Sequence, residues 1–273
     1  MAGKWSRLFP AGDFRWSIGM RPGDARAFFS PTAEHDQILE ERDHWLRETP
    51  GDCALLTQDG VPLLREAAML AVQWNQHREA ELHDGDSLLS AETLQQLGRT
   101  WEPDFVLLSL QQEQLTVEGG VVCFPSSWSL REKLGRTLNF THSAVPDLNG
   151  QLAQRIQKAL AQLAPGEAWE RENWGLSADA ERNHAVHRPR ARLGSDTKPE
   201  GVWLRVERQV LFKLPGSGGI LFGIRLEIVP WLEVVADPDA RGGLKRALST
   251  MSVETARYKG LHEARTVILR WLS

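Results

Sequence analysis

The chain has only two cysteines, Cys53 and Cys123, among 273 residues, and they form no CxxC pair. That is too few thiolates for a zinc ribbon or a cysteine-held iron–sulfur cluster. Charge of one sign is also lacking, since 32 Lys and Arg stand against 36 Asp and Glu for a formal net charge of -4. A nucleic-acid binder needs a clustered basic surface to displace counterions from phosphates, so no nucleic-acid partner is expected. No apolar run approaches the roughly 20 residues that cross a bilayer. Lys4, Arg7, Pro10 and Gly12 interrupt the opening segment, which therefore does not read as a secretory leader. These features predict a cytoplasmic protein without a membrane partner. The sequence also lacks GxxxxGK[ST], HExxH and GxSxG, which leaves nucleotide hydrolysis, zinc proteolysis and serine esterase chemistry without local support. The cluster Gly216-Ser-Gly218-Gly219 fails as a dinucleotide fingerprint, because Leu221 stands at the third glycine and the cluster links strand to strand.

What is present suffices for a core: 41% of residues are hydrophobic and 25% charged. Eleven tryptophans against one tyrosine is the oddest ratio, and tryptophan serves both cores and cofactor pockets. The first part reads helical. Ser30 caps a segment that starts at Pro31, carries Ile38, Leu39, Trp45 and Leu46, and stops at Pro50-Gly51. A second helix is predicted over Pro62–Leu82, with Leu63, Ala67, Leu70, Ala71 and Trp74 at helical spacing and a solvated tail from His77 to Asp86. His77 and His83 fall on different faces of that helix, which argues against a shared metal. A third helix follows Ser90 and ends near Trp101.

Phe105–Leu110 and Leu115–Phe124 are rich in Val, Leu and Phe and read as strands, with a turn at Gln111–Gln114 and a bulge at Gly119-Gly120. Ser129 and Glu132 have capping-box spacing, and Gly135 stops the short helix they open. An amphipathic helix begins at Pro146-Asp147 with the stripe Leu148, Leu152, Ile156, Leu160 and Leu163, and Pro165-Gly166 ends it.

Two alternating runs, Val202 to Phe212 and Ile220 to Ile228, make a hairpin through the glycine-rich connection. Pairing Phe212 with Ile220 sets Glu207 opposite Arg225 and Arg205 opposite Glu227, both of opposite charge. Arg208 then points to the apolar face and needs an anion, either a protein carboxylate or a ligand carboxylate or phosphate. Gly243–Ser273 returns to helix, packing Leu261, Ala264, Ile268, Leu269 and Trp271 on the rest. His184 and His187 lie in a polar, Arg- and Pro-rich stretch that reads as a surface loop. His142 sits in a mostly apolar setting between two helices. It suits either a hydrogen-bonded core histidine or the single protein ligand that a porphyrin-held iron requires.

The run Cys123-Phe-Pro-Ser-Ser-Trp-Ser-Leu-Arg-Glu-Lys-Leu-Gly135 and the later His142-Ser-Ala-Val-Pro146 resemble the haem-dependent oxidative N-demethylase alpha-subunit family. Further similar segments follow in order: Arg171-Glu-Asn-Trp174, Leu204-Arg-Val-Glu-Arg-Gln209, Leu214-Pro215, Ile220-Leu-Phe-Gly-Ile-Arg225 and Tyr258-Lys-Gly260. The resemblance implies an α+β fold, a PAS-like antiparallel sheet flanked by helices, as one domain over 1–273. Within it, 1–101 would be mainly helical, 102–235 would carry the sheet, and 236–273 would be C-terminal helices. It also implies haem b with His142 as the axial iron ligand, and Lys133, Arg208 and Arg225 as candidate propionate partners. Arg171, Asn173 and Trp174 would line or brace the pocket. The implied activity is a monooxygenase-type oxidative demethylation of a small secondary methylamine resembling dimethylamine, using dioxygen and releasing formaldehyde. Electrons would come from separate reductase subunits carrying flavin and an iron–sulfur cluster, with no flavin, nicotinamide or iron–sulfur cluster in this chain. The alternative is a non-catalytic PAS-like haem or small-ligand sensor. No catalytic residue or amine-binding group is assigned; Glu207 suits an alkylammonium and a structural ion pair equally.

Overall fold

A computed structural model describes residues 5, 7–74, 91–112, 114–142, 145–146 and 150–273, apart from the side chains of residues 91, 142 and 150–153. At its centre is a seven-stranded antiparallel sheet built from β1 (Arg21–Pro22), β2 (Ala54–Leu56), β3 (Asp104–Gln111), β4 (Gln114–Val121), β5 (Ala168–Ser177), β6 (Trp203–Lys213) and β7 (Ile220–Pro230). The strand order is β1-β5-β6-β7-β3-β4-β2. Twelve α-helices among the described residues flank this sheet, as expected for an α+β fold.

The turn between β6 and β7 forms because Glu66 accepts from the backbone N–H groups of Gly216 and Ser217 at 2.6 and 2.8 Å, and Gly218 takes the left-handed φ of +69°. The hairpin register differs by one residue from expectation: Phe212 pairs with Leu221 and Lys213 with Ile220. A one-residue slip moves every partner to the other face. The charge pairs Glu207–Arg225 and Arg205–Glu227 are therefore absent, and the apolar alternations of the two strands lie on opposite faces. Both faces are covered, so neither strand has a single face that must be apolar, and alternation alone does not fix the register.

On the first face, Leu107, Val210, Phe212 and Leu221 meet α1 (Ala25–Phe29), α2 (His35–Glu48), α4 (Val61–Gln73) and α5 (Ala91–Thr100) in one core. Phe29, Trp101 and Phe105 sit at its centre, with ring centroids 4.4 and 5.2 Å apart. Such contacts add about 1 kcal/mol each beyond area burial. Farther along that face, Trp174, Leu204, Val206 and Val229 pack on α10 (Pro238–Thr250), α11 (Val253–Tyr258) and α12 (Arg265–Trp271). Leu261, Ala264 and Ile268 are buried there as predicted. On the second face, Val106, Leu108, Val117 and Leu211 are covered by α6 (Leu130–Lys133), α7 (Leu138–His142) and α8 (Gly150–Ala161), through Leu130, Leu138, Ile156 and Leu160.

Several predicted boundaries move for identifiable reasons. Ser30 ends α1 instead of opening α2, because its hydroxyl donates to Arg26 O, and Glu102 holds Thr32 by both its N–H and its hydroxyl. The helix then starts at His35. Pro50 opens the short α3 (Pro50–Cys53), taking the early helical position that lacks a partner for its N–H. Ser129 caps α6 without a side-chain hydrogen bond, so the capping box is not made. Gly135 does follow the end of its helix at positive φ, but α8 stops at Ala161 and Gly166 lies in the later turn before β5. The bulge opposite Leu107 and Leu108 falls at Glu118, one residue before the predicted Gly119-Gly120. The predicted tail His77–Asp86 lies outside the described residues, as do Ser143, Ala144, Asp147 and Leu148 and the side chain of Leu152.

Candidate functional site

Strand β5 is polar along most of its length and gave no alternating signal, yet it pairs fully with β6 from Ala168↔Phe212 to Ser177↔Trp203. This pairing sets Arg171 opposite Gln209, Asn173 opposite Glu207 and Gly175 opposite Arg205, all on the second face. Beyond the apolar cover of α6–α8, that face thus presents Arg171, Asn173, Gly175, Arg205, Glu207 and Gln209. Arg171, Asn173 and Glu207 are half-buried and Gln209 is buried. The space above Gly175 is open, for a Cβ built there would meet nothing within 4 Å.

The electrostatics centre on Glu207. Its carboxylate accepts from Gln209 Nε2 at 2.9 Å, and its field acts on Lys133, Arg171, Arg205 and Lys259. Burial pulls all four cations below their ordinary pKa, Arg205 to about 10 and Lys259 to about 8, with Glu207 opposing each shift. Arg205 donates through its two terminal nitrogens to the carbonyls of Glu181 and Arg182 at 2.5 and 2.8 Å, while its Nε is buried without a hydrogen-bond partner. Arg171 Nε is buried without a partner as well, and among the described residues no carbonyl or carboxylate bonds the rest of its guanidinium. Lys133, at the end of α6, lies over the Trp128 ring at 5.2 Å. Lys259 donates to Trp174 O at 2.6 Å, with Nζ 4.7 to 5.8 Å from the Phe14, Trp16 and Trp174 ring centroids. Glu207 is the carboxylate common to all four cations, with Glu132 acting also on Lys133 and Asp179 on Arg205. The cations still outnumber these carboxylates, and the surplus of positive charge suits an anion.

The other sequence-predicted residues lie elsewhere. Trp174 alternates to the first face and packs on Phe9 with ring centroids 5.2 Å apart; it meets Lys259 through both its carbonyl and its ring. Arg208 is also on the first face, where it donates to Glu227 at 3.0 Å and Glu172 at 3.3 Å. Of the two anions left open for it, protein carboxylates are the ones it meets. Arg225 pairs with Glu102 and donates to Phe28 O and Ser30 O at 2.5 and 3.0 Å, away from Glu207. His142 is the last residue of α7 and its side chain lies outside the described residues. The helix itself belongs to the second face, because Leu138 packs in that core and Thr137 bridges to Thr116.

His184 is buried rather than on a surface loop, with Nε2 2.8 Å from Asp179 Oδ1. No cluster of three or more His, Cys, Asp or Glu side chains forms a metal site among the described residues. A haem iron needs only one such ligand. Sequence reasoning did not single out Lys259. Its signal was a lysine just before the left-handed Gly260, φ +68°, at the end of α11. No helix of the described residues is long and apolar enough to cross a membrane.

A family model described as haem-dependent oxidative N-demethylase, alpha subunit-like, matches residues 63–269, well over half of the chain. The match takes in α6, α7, β5, the β6–β7 hairpin and Lys259, which is every element that builds the cationic face.

Proposed function

Proceeding from the chain's membership of the haem-dependent oxidative N-demethylase alpha-subunit-like family, we propose that it is the haem-carrying subunit that removes a methyl group from a small secondary methylamine. The observation that carries this reading is the desolvated Arg171 guanidinium, with a buried, unpartnered Nε on the same sheet face as the open space over Gly175. A guanidinium kept in that condition is preorganised for a carboxylate, which would restore the hydrogen bonds that burial removed. Arg171, Lys133 and Asn173 would hold the propionate side of haem b, and His142 on α7 would supply the protein's ligand to its iron. Haem, when bound, supplies dioxygen activation at its iron.

The chain's own residues have separate tasks. Glu207 keeps the surrounding cations from repelling one another, and Gln209 holds its carboxylate in place at 2.9 Å. With so many cations nearby, an alkylammonium at Glu207 would be repelled, so Glu207 serves as a counter-charge and the amine binds elsewhere. The apolar cover formed by Leu130, Leu138 and Ile156 excludes water from the adjoining part of the face. Overall, the methylamine, dioxygen, two electrons and two protons yield the demethylated amine, formaldehyde and water. The electrons come from a separate reductase bearing flavin and an iron–sulfur cluster.

An absorption titration of purified protein with haem tests the binding step. A Soret band that saturates at one haem per chain and shifts in His142→Ala supports it; a colourless protein with no uptake overturns it. Supplying electrons and dimethylamine then tests turnover by formaldehyde release. Saturated haem with no formaldehyde from any small methylamine overturns catalysis and favours a haem sensor.

A further inference from the structure

The two cysteines, distant in sequence, meet beside the first core. Cys53 closes α3, its carbonyl accepts Val122 N–H at 2.8 Å, and the pairing of Ala54 with Val121 brings the end of β4 alongside. Cys123 follows directly, with its N–H donating to Asp104 Oδ1 at 2.7 Å. The two thiols lie close enough to act on each other, Thr49 Oγ1 lies 3.5 Å from Cys53 Sγ, and Cys123 Sγ lies 3.9 Å from Arg42 O. Both are free and buried, but they are not equivalent. Cys53 lines a pocket of about 270 Å³ bounded by Trp45, Pro125, Leu130, Ala185 and Pro189, and Cys123 does not.

Arg42 lies behind the pair and is wholly buried. Its Nε donates to Gly98 O at 2.8 Å and its Nη1 to Asp104 at 2.6 Å, while Nη2 is buried without a partner. Arg42 favours negative charge on both sulfurs and Asp104 opposes it, the carboxylate being the stronger of the two at Cys53. The neighbouring Cys123 thiol nonetheless lowers the Cys53 thiol, whereas burial raises Cys123. A pair that served packing alone would not need an opening to one sulfur only.

We propose that Cys53 is a site of reversible oxidation by a small hydroperoxide reaching it through this pocket, with Cys123 as the resolving thiol. The Cys53 thiolate attacks the peroxide oxygen, the O–O bond breaks, and the leaving alkoxide or hydroxide takes up a proton, leaving Cys53 as the sulfenic acid. Cys123 sulfur then attacks the Cys53 sulfur. The S–S bond forms, the S–O bond breaks, and hydroxide leaves as water with the Cys123 proton. In sum, two thiols and one hydroperoxide give a disulfide, an alcohol or water, and water.

The test treats the reduced full chain with stoichiometric hydrogen peroxide. It then alkylates under denaturing conditions and reads intact mass and the peptide map. The expected result is loss of both alkylatable thiols, a mass lower by two hydrogens, a Cys53–Cys123 cross-linked peptide within one chain, and full reversal by dithiothreitol. Cys123→Ser should stop at a Cys53 sulfenic acid that dimedone traps, and Cys53→Ser should leave Cys123 unreacted. Two thiols still alkylatable after exposure, a cross-link between chains, or a Cys123 that oxidises equally fast in Cys53→Ser would each overturn the proposal. The unmutated chain decides the matter even if a variant folds poorly.

Discussion

On one face of the β5–β6–β7 triad, Arg208 and Arg225 each reach a carboxylate. On the other, Arg171 and Lys133 reach none at ion-pairing distance among the described residues. The same three strands carry Arg171, Arg208 and Arg225, so the difference among these arginines does not come from local sequence. It comes from what covers each face. The first face is closed by two helical cores, and the guanidiniums between them are neutralised by Glu172, Glu227 and Glu102 from the protein itself. A closed interior tolerates a charge only when it is paired. The second face is covered by α6–α8 over only part of its area, and there the cations outnumber the carboxylate they surround. That arrangement costs stability in the empty protein and is what an anion-binding surface requires.

The largest effect should come from breaking a pair on the closed face. Glu102→Gln removes the partner of Arg225 and of His35, whose Nδ1 lies 2.8 Å from Glu102 Oε1. Leaving a buried charge uncompensated costs about 3 kcal/mol or more, so the urea midpoint should fall with an unchanged slope. Haem affinity should stay as it was, because Glu102 acts on the other face. A loss below about 1 kcal/mol would mean that the first-face pairs contribute little, and the contrast between the faces would fail.

How far these two faces were legible in the sequence follows from the same physics. The β6 and β7 strands were visible because each alternates, but their register was not, because both faces bury side chains and either register satisfies one of them. The start of α2 was misplaced because Glu102, far along the chain, decides the conformation of Thr32. Arg171 and Asn173 were noticed only through family resemblance. Their strand is polar on both sides and carries no period to read. Glu207 was read as the partner of Arg225 and proved to be the centre of the cationic face. Lys259 stood in the family-like segment Tyr258-Lys-Gly260 but was given no role, because a single lysine has no pattern; the packing of Phe14, Trp16 and Trp174 around it marks it out.

A second, smaller effect sharpens the comparison through pH. Lys259 is half-buried, and desolvation of its ammonium lowers its pKa from 10.5 to about 8. Below pH 8 both the folded and unfolded chains carry the ammonium, and the folded state bears the full cost of burying it. Between pH 8 and 10.5 the folded chain sheds this proton while the unfolded chain keeps it, so the unfolded state binds more protons and stability rises with pH. The gain is at most about 3 kcal/mol. Denaturation curves at pH 7.5 and 9.5 (about one-half unit below and one and a half above the folded value) should therefore show the native chain gaining relative to Lys259→Met. Equal gains in both would remove Lys259 from the set of desolvated cations.

The smallest effect on stability has the opposite sign from the first, and that is its value. Arg171→Met keeps the aliphatic stem and removes a desolvated charge with no partner for its buried Nε. Replacing a poorly compensated buried ion by an apolar group is neutral or stabilising, so the empty protein should gain about 1 kcal/mol or stay unchanged. Haem binding should weaken in the same variant by roughly tenfold to a hundredfold, the loss of one charge-assisted hydrogen bond. The two measurements separate the two kinds of arginine. A first-face arginine loses stability and leaves haem binding alone; a second-face arginine does the reverse. If Arg171→Met instead destabilised the empty protein and left the Soret titration unchanged, Arg171 would belong with Arg208 and Arg225 as a structural cation. The anion site would then have to be built without it.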